Sequence, residues 1–273
     1  MRIVGSVLVR NEDVFVEQAI RNVAAFCDRI HAVDHVSTDR TWEIIQELAA
    51  ELDHLDARRA RHSRVSHEVL EPYAGTDTWV IRVDGDELYD PTRLGAFRER
   101  LVAGEFASAF RILGTVLHAT ELDREQVTAS GYLSPPSRPI SALYNFGAVE
   151  SWTGALERLH AGRVRFVDGF DWDAVEPLYE RFGWDDSSLR CLHVCFLPRS
   201  SSDVSGAPRS NLGELDAYRR SPLGTVERAV RKSLRRPAGS AAQVELRAEG
   251  SSWKKEKYRR GELVTVDAVP FLR

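Results

Sequence analysis

A chain of 273 residues, 43% hydrophobic and 29% charged with a formal net charge of −4, is long enough to bury a large core and too evenly charged to suggest a nucleic-acid partner. No apolar run is long enough to span a bilayer, and the first residues lack a signal-peptide apolar region and cleavage site, so a cytoplasmic location is expected. Three cysteines, an odd number, argue against a disulfide scaffold.

In chain order, residues 3–9 read as a strand that ends in the polar turn Arg10-Asn11-Glu12-Asp13. Val14, Ala19, Ile20, Val23, Ala24 and Phe26 then recur at helical spacing, with Asp13 as the expected N-cap. A second strand, 29–34, again ends in a carboxylate, Asp34. The loop 35–40 leads to a helix capped by Asp39 or Thr41, whose inner stripe is Trp42, Ile45, Leu48, Ala49 and Leu52. A short strand near 55–57 precedes the basic residues Arg58, Arg59, Arg61 and Arg64, a run that suits a solvated face. Residues 67–73 read as a short helix disturbed by Pro72, and 78–83 as a buried strand rich in β-branched residues. The alternation β-α-β-α-β-α-β predicts an α/β fold: a mainly parallel central sheet flanked by helices, with ligands at the carboxyl ends of the strands.

The 78–83 strand stops at Asp84-Gly85-Asp86-Glu87. Three like charges cannot share a dry core, so this stretch must face water, a cation or both. Asp84 and Asp86, either side of a glycine that permits close approach, can converge on one hard divalent ion. The same residues also make an ordinary turn.

Asp90 caps the next helix, with Pro91 in its first turn and Leu94, Phe97, Leu101 and Val102 on its apolar face. Residues 106–122 read as strand broken at Gly114, 134–139 as a loop, and 142–146 and 164–167 as further strands. In a strand over 189–197, Cys191, His193 and Cys195 would share one face, as a soft-metal site or as buried thiols beside a histidine. Beyond Asp203, a basic amphipathic helix over 211–234 and a final strand over 263–271 are expected.

Four of these stretches resemble the family 2-like glycosyltransferases of the A-type fold. They are Val9-Arg10-Asn11-Glu12, the segment from Asp34 to Thr41, the segment from Trp79 to Glu87, and Leu192-His193. His35 departs from the family's second acidic residue, and Arg40 from its usual glycine. The resemblance implies a nucleotide-sugar-binding α/β half (1–104), an acceptor-side half (105–202) and a C-terminal extension (203–273). It assigns Asp34 to the base, and Arg10, Asn11 and Glu12 to the base and ribose pocket. Arg61 or Arg64 would reach the nucleotide, and Asp84 the ribose or the metal's water shell. Asp86, with Asp84 and His193, would hold Mn²⁺ or Mg²⁺ on the diphosphate. Glu157, which follows Trp152-Thr153-Gly154, is the first candidate base, with Asp185, Asp186 and Asp173 as rivals. Trp152, Trp172 and Trp184 suit sugar stacking or the core.

The function so implied is metal-dependent transfer of a sugar from a UDP-linked donor to an acceptor hydroxyl, with inversion; the acceptor, whether glycan, lipid-linked or small molecule, is left open. A sugar-phosphate nucleotidyltransferase is the enzymatic alternative, although it predicts a glycine-rich loop after the first strand, where this chain has none. A non-catalytic nucleotide- or carbohydrate-binding module is the other. The basic C-terminal helix reads as a solvated helix, a collector of diphosphate charge, or a peripheral contact with an anionic membrane.

Overall fold

A computed structural model describes residues 1–134, 142–203 and 258–272. β1 (Arg2–Val9), α1 (Val16–Ala24), β2 (Arg29–Asp34), α2 (Thr41–Glu51), β3 (Leu55–Arg59), α3 (Val65–Glu68) and β4 (Thr78–Asp84) follow the expected alternation. β1 lies between β2 and β4, all parallel, and β3 is parallel beyond β2. Every residue of β1 after Arg2 is buried, as a strand covered by helices on both faces requires.

β5 (Glu87–Tyr89), α4 (Pro91–Val102), β6 (Arg111–Leu113), β7 (Thr115–Asp123), β8 (Thr128–Leu133), β9 (Ala142–Asn145), β10 (Val149–Thr153), β11 (Arg163–Phe166), β12 (Val175–Pro177), α5 (Leu178–Arg181), β13 (Arg190–His193), β14 (Leu263–Asp267) and α6 (Val269–Leu272) complete the described elements. The main sheet has seven strands in the order β12-β6-β9-β4-β1-β2-β3, with β9 antiparallel to both its neighbours. A second sheet runs β14-β8-β7-β13-β5, and β10 pairs with β11 alone. The protein is thus an α/β fold with a mainly parallel central sheet flanked by helices.

Two of the chain's crossings between the two large sheets run almost directly from strand to strand, and both use a glycine. Only Gly85 and Asp86 separate β4 from β5, and only Gly114 separates β6 from β7. A Cβ on Gly114 would lie 2.2 Å from the Leu189 carbonyl oxygen, and one on Gly85 would lie 2.3 Å from Glu12 Oε2 and 2.8 Å from Val9 Cγ1. Each crossing therefore uses the one residue without a side chain. The first crossing is the acidic turn, so Asp84 ends one sheet and Glu87 begins the other.

Several local expectations change. The 106–122 strand is two strands in different sheets, and β8 has no counterpart in the expected elements. Asp13 does not cap α1, whose N-cap is Phe15; its carboxylate accepts hydrogen bonds from Ser201 instead. Residues 263–271 are not one strand but β14 followed by α6. Asp90 does cap α4, accepting from the Arg93 amide at 3.1 Å. The expected helix over 211–234 and most of the 134–139 loop lie outside the described residues. Among the described residues, no helix is long and apolar enough to cross a membrane.

Candidate active site

The carboxyl ends of β1, β2, β3 and β4 lie side by side, bringing Arg10, Asn11, Glu12, Asp34, Arg59 and Asp84 to one rim. Asp34 is fully buried. Its carboxylate accepts from the Ser37 amide at 3.2 and 3.1 Å, and Arg59 Nε lies 3.1 Å from Oδ2. Arg59 Nη2 also donates to the Ser37 carbonyl at 2.6 Å, and Arg10 Nη1 to the His35 carbonyl at 2.7 Å. Across the rim, the Asn11 amide donates to Ser37 Oγ at 2.9 Å and the Thr38 amide donates to Asn11 Oδ1 at 2.8 Å. Asn11 and Val36 hold positive φ, 52° and 54°. Asn tolerates that region, whereas a β-branched residue there is strained. The two loops are thus cross-braced into one shape.

The acidic turn is engaged by arginines from distant parts of the chain. Asp84 pairs through Oδ1 with Arg158, which also donates to the Val83 carbonyl at 3.1 Å. Asp86, 1% exposed, meets Arg199 Nη1 through Oδ2, and the same nitrogen lies 3.1 Å from Glu12 Oε1. His193 Nε2 is 3.5 Å from that Asp86 oxygen. Burial alone would raise Asp86, but the charges of Arg199 and His193 hold it far below the usual carboxylate range. Glu87 is buried with one oxygen on the Asp84 amide at 3.0 Å; burial first, then the Asp84 charge, push it up to about 7.

Behind the turn, β13 lies between β5 and β7, with His193 in register with Glu87 on one side and His118 on the other. His118 and His193 face each other through Nδ1 at 2.9 Å, and Tyr258 stacks on His118 with centroids 4.0 Å apart. Burial, then the His193 charge, bring His118 down to about 2. Burial would also lower His193, but Cys195 and Asp86 raise it well above the ordinary histidine range. One potential metal-ligating atom each from His118, His193 and Cys195 lies within 4.8 Å of the others. Cys191, expected alongside His193 and Cys195, is not in this cluster; its place is taken by a histidine from the neighbouring strand.

The remaining candidates divide. Glu157 sits half-buried in the loop between β10 and β11, next to Arg158, which binds Asp84. Ser66 Oγ accepts from the Arg158 amide at 2.9 Å, and both His67 ring nitrogens face carbonyl oxygens of this region, Arg158 and Trp152. Asp185 does not join the site. Its side chain is 95% exposed and lies 3.8 Å from Arg190, at the opposite end of β13 from His193, a separation of roughly 10 Å along the strand. Arg61 is exposed, and its carbonyl faces His35 Nε2 at 2.9 Å. Trp152 and Trp184 are core residues, and Trp172 is partly exposed. Arg59, Arg158, Arg199 and His118 were not among the candidates. No motif marks Arg158, Arg199 or His118; they reach the site only through the sheet crossings and loop returns.

Together, fold and site define an α/β protein whose central sheet presents buried carboxylates and the guanidinium groups of Arg10, Arg59, Arg158 and Arg199 at its carboxyl edge. No protein-family model matches the chain, and no curated protein does. Among solved structures, the chain is similar to TarS of S. aureus, with 15% identity and a TM-score of 0.36 over 54% of this chain and 29% of that one. It is also similar to the mannosyltransferase PcManGT of Pyrobaculum calidifontis, solved with GDP-Man and Mn²⁺ (16% identity, TM-score 0.32, covering 53% of this chain and 44% of that one). A third is 4-diphosphocytidyl-2C-methyl-D-erythritol synthase of Anaerococcus prevotii (11% identity, TM-score 0.31, covering 53% and 70%). The chain spans less than half the length of the first two.

Proposed function

We propose that the protein is a glycosyltransferase that passes a sugar from a UDP-linked donor to an acceptor hydroxyl with inversion. The observation that carries this is the approach of Asp86 Oδ2 and His193 Nε2 to 3.5 Å, on the same rim as the braced pocket around Asp34. Two ligands of one small dication, each about 2.1 Å from it, stand roughly 3–3.5 Å apart, so this pair fits Mn²⁺ or Mg²⁺. Asp84 offers a third oxygen ligand or a contact to the ion's water shell. When bound, the ion neutralises charge on the departing diphosphate.

The chain's own residues supply the rest. Asp34, with Arg59 and Ser37 fixed on it, forms the base pocket, and Arg10, Asn11 and Glu12 close its ribose side. Arg199 and Arg158 bring guanidinium forks to the two aspartates of the turn, where diphosphate oxygens would be bound in pairs. Glu157 is the candidate base, since Arg158 ties its loop to Asp84. A nucleotidyltransferase would cradle triphosphate in the amides after β1. Here the Asn11 amide is taken by Ser37, and the Glu12 amide donates to Thr41 Oγ1 at 2.8 Å.

The test is UDP release from a panel of UDP-sugars with Mn²⁺, with chelator, and with Asp86→Asn. Turnover that needs both the ion and Asp86 is expected. No metal-dependent turnover and no stabilisation by any nucleotide sugar would overturn the reading in favour of a binding module.

A further inference from the structure

We propose that His118 is a positioning residue for His193: it accepts the His193 Nδ1–H and thereby leaves the Nε2 lone pair turned to the ion beside Asp86. This role presupposes that Asp86 and His193 hold an ion, as proposed above.

The sheet itself creates the pair. His193 and His118 are register partners on adjacent strands, so their rings rise from the same face. Their Nδ1 atoms are 2.9 Å apart, a distance that accommodates one shared proton and not two. The direction of that hydrogen bond decides what Nε2 can do. If His118 donated, a neutral His193 would carry its proton on Nε2, pointing at Asp86, and that nitrogen could not ligate a cation. If His193 donates, Nε2, 3.5 Å from the Asp86 oxygen, is the nitrogen free to give up its proton when a cation displaces it. Ligating histidines commonly have their other ring nitrogen fixed by such a partner, which sets both tautomer and ring angle.

Two further features fit this role and not simple packing. The His118 ring is fully buried and lies 16° from parallel with Tyr258, a stack that holds the plane in which its Nδ1 faces His193. Its Nε2 is buried with no hydrogen-bond partner among the described residues. A buried, unpartnered ring nitrogen costs about 1–3 kcal/mol, which an apolar ring at the same place would not incur. The imidazole is therefore best explained by its other nitrogen.

The experiment measures Mn²⁺ binding to the full chain by electron paramagnetic resonance, without nucleotide or substrate, for wild type, His118→Asn, His118→Phe and Cys195→Ser, each checked for folding by circular dichroism. Asn places an acceptor near the Nδ1 position, whereas Phe keeps the ring volume and the stack on Tyr258 but accepts nothing. Expected is affinity within about threefold of wild type for H118N and C195S, and a loss of about 10–100-fold for H118F. Packing alone predicts the reverse order for Asn and Phe, and that order, or wild-type affinity in H118F, would overturn the proposal. A wild-type chain that binds no Mn²⁺ would instead remove the ion from the functional reading, and this role with it. Co²⁺ supplies the last arm: a thiolate-to-cobalt charge-transfer band that disappears in C195S would put the ion among His118, His193 and Cys195, and His118 would then be a ligand.

Discussion

Arg199 and Asp86, 113 positions apart in the chain, form an ion pair in which one guanidinium nitrogen also reaches Glu12 Oε1 at 3.1 Å. The residues around Arg199 are sewn to the loops after β1 and β2. The Val14 amide donates to the Arg199 carbonyl at 3.1 Å, the Ser201 amide to Asp13 at 2.6 Å, and the Ser200 hydroxyl to Asp39 at 2.5 Å. Arg199→Ala would leave two mostly buried carboxylates without their shared cation, at a cost of about 3 kcal/mol. Thermal melts should show a clear drop. Arg199→Lys keeps the charge but loses the planar fork, so it should fold and bind UDP about tenfold more weakly by calorimetry. An alanine variant with unchanged melting and unchanged UDP affinity would remove Arg199 from the site.

Val36 at φ 54° lies in the loop that Asp34, Arg10 and Arg59 hold in place. A β-branched residue in that region carries strain of order 1–3 kcal/mol, of the kind that collects at functional loops. Val36→Asn should therefore raise stability by about 1 kcal/mol, read as a higher urea midpoint at unchanged slope. If the loop's fixed shape serves nucleotide binding, UDP affinity stays within about twofold, because the backbone conformation is kept rather than released. A destabilised V36N would mean that the valine side chain, and not the backbone, shapes the loop.

The first half of the fold was legible because its signals are local. Residues 29–34 form β2 with the expected boundaries, and the strand over 78–83 ends one residue later, at Asp84. Buried parallel strands read as apolar runs, and their ends are marked by carboxylates, which the fold buries only against arginines. The second half was not legible in the same way. Gly114 looked like a break in one long strand, but its meaning is a change of sheet forced by the Leu189 backbone. The partners of the acidic turn follow the same logic. Asp84 and Asp86 stand out in the sequence, while Arg158, Arg199 and His118 approach them across separations of 74, 113 and 32 residues, counted from Asp84, Asp86 and Asp86 respectively. No periodicity encodes such a meeting; sheet register and loop return do.

Arg190 and Asp90 bond across β13 and the start of α4, with Nε and Nη2 at 3.0 and 2.7 Å from one carboxylate oxygen. The guanidinium lies 5.4 Å from the ring centres of both Trp184 and Phe271, which are 5.6 Å from each other, so it also ties α6 to the core. Asp90→Ala removes the cap of α4 and strands a nearly buried arginine, a loss of about 3–5 kcal/mol. The double variant D90A/R190M should recover most of that loss, since it removes the uncompensated charge as well. Equal stabilities for the single and double variants in urea would show that the cap, and not the ion pair, accounts for the effect.

His31 offers a pH test well away from the acidic turn. Its ring is buried, with Nε2 2.9 Å from the Tyr73 hydroxyl and Nδ1 3.2 Å from Asp56. Burial lowers its pKa below the ordinary histidine value of 6.5; Asp56 opposes this, and Arg29 and Arg58 add to it. The unfolded chain therefore takes up a proton at this position before the folded one does. The stabilising contribution is complete above pH 6.5 and is lost as pH falls through the folded value. Urea midpoints of the wild type should fall on acidification from about pH 7.5 to about pH 5, and those of His31→Gln should fall less over the same window. Parallel curves for the two proteins would show that His31 changes charge at the same pH folded and unfolded, and that the acid sensitivity of the fold resides elsewhere.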